Sequence, residues 1–452
     1  MTMTSLTASN AAARPSRLAL RGDLLDFTGT PAWGALDDPA VRFRPDHWLL
    51  IEDGRVAGIQ AEAPDAGWTR EDHRGRLILP GFIDTHVHCP QLDVIASYGA
   101  ELLDWLNTYT FPAERRYADP AVARAGAERF LDALLAHGTT SAMVFPTVHK
   151  VAAETLFEAA RARGMRLLTG KVLMDRHAPD GLRDDVEQAR RDCEDLISRF
   201  HGQARLGYAV TVRFAPTSTP AQLAMAGDLC RQDASLYMQT HVSENRAEVE
   251  WVAKLFPEAR SYLDVYDRVG LLHDRAVLAH GIWLDAQDRA IVAERGAQVA
   301  FCPSSNLFLG SGLFDWLAAR EAGFTVSLAS DVGGGTSLST QRTLGDAYKV
   351  QALAGRRLTA WAGLHAATLG AAQGLGLSHE IGHFGVGTLA DVCIWDWACG
   401  PVAEARFAVA RELHEKVFAW MTLSDERNLA AAYVAGVARY RRPGAAPVPP
   451  HS

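Results

Sequence analysis

Pro80-Gly81-Phe82-Ile83-Asp84-Thr85-His86-Val87-His88 is the stretch whose reading decides the fold. It reads as the end of an apolar strand that closes on two imidazoles. Residues i and i+2 of a strand point to the same face, so His86 and His88 can grip one ion from one side. Two imidazoles on one strand face are hard to satisfy by packing alone. Three more residues of metal-ligating type, His241, His280 and Asp331, each close a short apolar run of their own, far apart in the chain. Residues gathered from the ends of several strands are how a (β/α)8 barrel builds a site on its C-terminal face.

Working outward, short apolar runs recur at 77–84, 140–145, 167–174, 206–214, 235–241, 276–280, 298–302 and 325–330. Helical stretches such as 121–136 and 151–163 lie between them. That alternation predicts a parallel α/β architecture, and eight such strands fit a TIM-like (β/α)8 barrel. Strand-like runs also stand at the two ends of the chain, at 18–27, 48–60 with a turn at Asp53-Gly54, 390–396 and 432–437. They predict a small discontinuous β-sandwich domain built from 16–79 and 385–440, flanking a barrel of 80–384.

The 452 residues carry a net charge of −8, which argues against a nucleic-acid backbone as partner. No apolar run approaches the roughly 18 residues that cross a bilayer. The start, Met1-Thr2-Met3-Thr4-Ser5-Leu6, lacks the basic and apolar regions of a secretory signal. The six cysteines, at 89, 193, 230, 302, 393 and 399, contain no CxxC pair and read as a reduced, packed set. The expected location is therefore cytoplasmic. Residues 1–15 read as a frayed tail and the Pro-rich 441–450 as disordered.

A ligand set of imidazoles and a carboxylate, without thiolates, suits zinc or iron(II). Such an ion lowers the pKa of a bound water toward about 7. Glu244, three residues past His241 and beyond the strand end, can reach the site without ligating and shuttle protons. Its alternative reading is a charge at a helix start. For Asp331 the alternative is a helix N-cap before Gly333-Gly334-Gly335. His137, His149, His201, His273 and His365 read as ordinary packed residues.

Together, the 80–88 stretch, His241-Val242-Ser243-Glu244-Asn245, Ala279-His280-Gly281 and Ser330-Asp331-Val332-Gly333-Gly334 resemble the amidohydrolase superfamily. Within it, the chain resembles the guanine deaminases from about residue 18 to about 440. The discriminating stretches are His88-Cys89-Pro90-Gln91, Leu102 to Glu114 with its Thr108-Tyr109-Thr110-Phe111-Pro112-Ala113-Glu114 end, Lys171-Val172-Leu173-Met174-Asp175, Arg213-Phe214-Ala215-Pro216-Thr217-Ser218 and Cys302-Pro303-Ser304-Ser305-Asn306-Leu307. Val212 stands where the family commonly has Pro.

The resemblance implies one zinc ion, with iron(II) as the alternative, on His86, His88, His241 and Asp331. His280 would lie beside it, as a further ligand or as a hydrogen-bond partner of the attacking water. Glu244 would be the proton shuttle, assisted by Asp331. Gln91 and Arg213 would read the oxo and ring-nitrogen edge of a purine, Phe214 would pack on its ring, and His88, His241 and Glu244 would border it. The implied activity is hydrolysis of guanine to xanthine and ammonia by a homodimer. Two other readings stand beside it: an amidohydrolase for another amino-heterocycle, such as an oxidised guanine or a triazine, and a catalytically dead binding scaffold.

Overall fold

A computed structural model describes residues 16–98 and 102–445. The tail at 1–15 and the end of the Pro-rich stretch lie outside the described residues. The strands are β1 (Arg17–Phe27), β2 (Val41–Glu52), β3 (Arg55–Gln60), β4 (Thr69–Pro80), β5 (Phe82–His88), β6 (Thr139–Phe145), β7 (Arg166–Thr169), β8 (Val172–Leu173), β9 (Leu206–Val212), β10 (Tyr237–Val242), β11 (Ala276–His280), β12 (Gln298–Phe301), β13 (Val326–Leu328), β14 (Val392–Asp396), β15 (Leu429–Val434) and β16 (Val437–Arg441).

Eight parallel strands run in the order β13-β12-β11-β10-β9-β7-β6-β5, with β8 paired to β9. Helices between them cover the outside, and every residue of β5, β6, β9, β11 and β12 is buried. This is the near-continuous apolar signature of strands covered on both faces. The ring is stitched where β13 meets β5: Asp331 N donates to the His86 carbonyl and His88 N to the Val332 carbonyl, both at 2.9 Å. The closure therefore passes through the expected metal ligands.

Both ends of the chain meet in a second sheet of seven strands, ordered β16-β15-β14-β4-β1-β2-β3. Leu18, Leu20, Leu49, Ile51, Val56, Ile78, Val392, Ile394 and Tyr433 form a core of their own. Leu25, Phe27, Leu77 and Leu79 pack into the larger core shared with the barrel helices. The small sheet thus buries one face on itself and the other on the barrel.

Some expected segments divide differently. The run 77–84 is two strands, because the chain leaves the small sheet at Pro80 and enters the barrel at Phe82. The run 167–174 breaks into β7 and β8. At the break, a Cβ on Gly170 would meet the Ala209 carbonyl at 2.0 Å, so only glycine lets the strands approach there. The run 432–437 is a hairpin corner: Ala435 and Gly436 take φ of 46° and 74° between β15 and β16. All six cysteines are free, and five are buried. No helix among the described residues is long and apolar enough to cross a membrane.

Candidate active site

At the C-terminal ends of the barrel strands, four ligand atoms converge. Nε2 of His88 lies 3.3 Å from Nε2 of His86, 3.2 Å from Nε2 of His241 and 3.2 Å from Oδ1 of Asp331. Nε2 of His86 is also 3.2 Å from Oδ1 of Asp331. With ligand bonds of 2.0–2.1 Å, neighbouring donors of a tetrahedral site are spaced roughly 3.3 Å apart. A second grouping, of His86, His241, His280 and Asp331, brings its ligand atoms within 4.8 Å of one another. The set with His88 is the tighter, because Nε2 of His280 is 3.7 Å from Asp331 Oδ2 and 3.5 Å from Glu244 Oε2.

The protonation states fit a cation. Nδ1 of His241 sits 2.7 Å from the Arg213 carbonyl, which can only accept. Nδ1 therefore carries the proton and Nε2 directs its lone pair into the cluster. Burial pushes the His86 imidazole down to about 4, and lowers His88 and His241 as well, so all three are neutral near pH 7. Burial opposes the charge of Asp331, but the imidazoles of His86, His88 and His280 around it hold its carboxyl well below the usual range. Neutral nitrogens and an anionic oxygen facing one point are the donor set a divalent ion needs.

The backbone is unusual at these positions. Ser243, His280 and Asp331 have φ of 49°, 70° and 47°, the left-handed region that L-residues avoid. Such strain is tolerated where the surroundings over-determine a position, and that is commonest at functional sites. Asp84, at the base of the His-x-His pair, accepts from Ser330 Oγ at 2.5 Å, Ser330 N at 3.1 Å and His86 N at 3.2 Å. It braces β5 against the chain that leads to Asp331.

Glu244 is buried beside the cluster, and Ser311 Oγ donates to its Oε1 at 2.9 Å. Burial raises its carboxyl, while His280 draws it down. The helix-start role falls to its neighbours. Asn245 caps the helix Arg246–Leu255, and Glu248 accepts from the backbone N–H of Glu244 and Asn245 at 3.0 and 3.1 Å. Asp331 likewise starts no helix. His280 Nδ1 is 2.8 Å from Asn306 Oδ1, which orients its Nε2 toward Glu244 and Asp331.

His88, His241, Glu244, His280 and Asp331 line a cleft together with Gln91, Trp105, Leu106, Arg213, Phe214 and Leu309. Gln91 is 2 % exposed, so it is no solvated loop residue. Its Oε1 accepts from Gly333 N at 3.2 Å. Arg213 is salt-bridged, but within this cleft: Nη1 donates to both oxygens of Glu114 at 2.7 Å. Phe214 is buried, edge-on to Trp251 at 6.2 Å between ring centroids. The five histidines read as packed residues stay out of the cleft lining. His137, for example, bonds the Ala133 carbonyl at a helix end. Sequence reasoning gave no role to Asp84, Glu114, Glu248, Asn306 or Ser311. Asp84, Glu114 and Asn306 lie in the stretches that carry the family resemblance, but the partners that give them meaning, Ser330, Arg213 and His280, lie far off in the chain.

The amidohydrolase family model matches residues 77–438, and the chain belongs to that family. The guanine deaminase of Escherichia coli (strain K12) is 42% identical over 435 residues, 94% of this chain and 98% of that protein. The solved structure of E. coli guanine deaminase superposes with a TM-score of 0.90 at 41% identity, covering 94% of this chain and 99% of that one. Guanine deaminase from C. acetobutylicum, solved with guanine bound in the active site, gives a TM-score of 0.84 at 26% identity over 94% of this chain and 100% of that one.

Proposed function

We propose that this chain is a guanine deaminase that uses one divalent ion, zinc in preference to iron(II), to convert guanine and water into xanthine and ammonia. One observation carries the reading. A metal-type donor set, a buried carboxylate free to move protons and a guanidinium–amide pair suited to a lactam edge open onto one cleft. The relatives that match nearly the whole chain act on guanine by name, and one holds it in its active site.

His86, His88, His241 and Asp331 would hold the ion. When bound, it supplies Lewis acidity and a water acidic enough to attack at neutral pH. The chain's own residues do the rest. Arg213 donates in a fixed fork to the purine oxo group, and the Gln91 amide, both donor and acceptor, matches the neighbouring ring edge. Phe214 packs on the ring. Held this way, the purine presents C2 to the water. Glu244 takes one proton from the water and passes it to the ring nitrogen beside C2; it then takes the proton of the new C2 hydroxyl, as the C2 oxo group forms, and gives it to the amine, which leaves as ammonia. His280 and Asp331 steady the proton transfers, and Ser311 holds Glu244 in line.

The test is to load the protein with zinc, supply guanine and measure xanthine and ammonia together, with cytosine and a triazine as comparisons. Equimolar xanthine and ammonia from guanine alone supports the reading. Release of ammonia from the triazine, with guanine untouched, replaces it with the broader amino-heterocycle reading.

A further inference from the structure

We infer that Glu114 is a positioning residue that gives the cleft its preference for an oxo-purine. The inference rests on the deaminase reading above and adds a residue that touches no reacting atom. Glu114 lies in the helix Phe111–Arg115 and is fully buried, at 0 % exposure. Its two oxygens both accept from Arg213 Nη1 at 2.7 Å, and Oε1 also accepts from Gln91 Nε2 at 3.2 Å. One carboxylate thus holds both side chains that would read the purine edge.

That contact fixes more than position. The Gln91 amide has its oxygen on Gly333 N and its nitrogen on Glu114. Flipping it would set the amide oxygen against the carboxylate and the NH2 against an N–H, so Glu114 determines which polarity Gln91 offers. The Arg213 guanidinium lies 5.2 Å from the centroid of the Phe111 ring. Face and edge are therefore fixed from one helix, while both bonds to Glu114 use a single nitrogen of a group with five donors. The pair is net neutral, which suits a neutral lactam better than an anion. A buried ion pair adds little stability by itself, and fixing one arrangement of polar groups is a use it can serve.

Glu114→Gln replaces an acceptor oxygen with an NH2 donor. Whichever way the new amide turns, it cannot accept from Arg213 at both atoms and from Gln91 as well. The loss should fall on substrates that carry an oxygen at C6. 2-Aminopurine has the same exocyclic amine at C2 with hydrogen at C6, so it serves as the control.

The experiment compares kcat/KM for guanine and for 2-aminopurine in the zinc-loaded parent and in Glu114→Gln, with zinc content measured in both. The expected result is full zinc and a guanine to 2-aminopurine ratio lowered about tenfold or more. Glu114→Asp, which keeps the charge on a shorter arm, should fall between, and it carries the test if the glutamine variant does not fold. In an Arg213→Ala background, Glu114→Gln should change the ratio less than it does in the parent, because only the part that acts through Gln91 is left to lose. Equal losses on both substrates, with the ratio kept, mark Glu114 as merely structural and overturn the inference. A parent that releases no ammonia from guanine instead overturns the deaminase reading, and this inference with it.

Discussion

Nδ1 of His241 donates to the backbone carbonyl of Arg213 at 2.7 Å. The residue suited to the substrate's edge thereby fixes the tautomer of a residue suited to the metal. The link is short because β9 and β10 are neighbours in the barrel, so their ends deliver both side chains to one place. It lets the donor set and the purine-reading pair be probed separately by substitution while they remain tied through backbone.

The donor set comes first. His86→Ala and Asp331→Ala should each lose bound metal and activity, whereas His137→Ala, at a helix end outside the cleft, should keep both. Elemental mass spectrometry decides it. Full metal occupancy in His86→Ala contradicts the convergence argument.

Glu244→Gln should keep the metal and lose turnover, by about 10²–10⁴-fold, since an amide of the same shape cannot carry the proton. Activity within about threefold of the parent, by the same steady-state assay, contradicts the shuttle role.

Ser311→Ala tests the support of that carboxylate. A hydrogen bond to a charged group is worth about 1.5–3 kcal/mol, so kcat should fall about tenfold or more at unchanged metal content. A kcat equal to the parent's shows that Glu244 holds its place without the hydroxyl.

The small sheet carries a pH signature of its own. Burial raises the Glu71 carboxyl, but hydrogen bonds from His73, Arg441 and Tyr433 outweigh it and bring it down to about 2, from 4.5. A folded value below the unfolded one means the stabilisation is complete above about pH 5 and is lost as the pH falls toward 2. Its size is of order 3 kcal/mol. Thermal unfolding of Glu71→Gln should start lower at pH 7 and fall less steeply from pH 5 to 3 than in the parent. Parallel profiles would contradict a charged Glu71 that ties β4 to β15 and β16 through Tyr433 and Arg441.

Much of the barrel and its donor set was legible because the evidence is local. His-x-His at a strand end, and single residues closing apolar runs, follow from the two-residue period of a strand. Division points were less legible. Pro80 and Phe82 belong to different sheets, yet both are buried, so the apolar run through them carries no mark of the handover. Ala435 and Gly436 hide a hairpin corner in a run of small residues. Glu114 was invisible as a site residue for another reason. Its meaning lies in Arg213, a partner that only the closed barrel brings within 2.7 Å.

In the proposed function, guanine is chosen through its oxo edge. The most direct measurement is kcat/KM for guanine against adenine in the zinc-loaded protein, followed by ammonia release. Adenine places a donor amine where guanine has an acceptor oxygen, so it meets the Arg213 fork with the wrong polarity and leaves buried polar groups unpaired. The expected result is a preference for guanine of as much as about 10⁴-fold. Deamination of adenine at a rate comparable to guanine would contradict it.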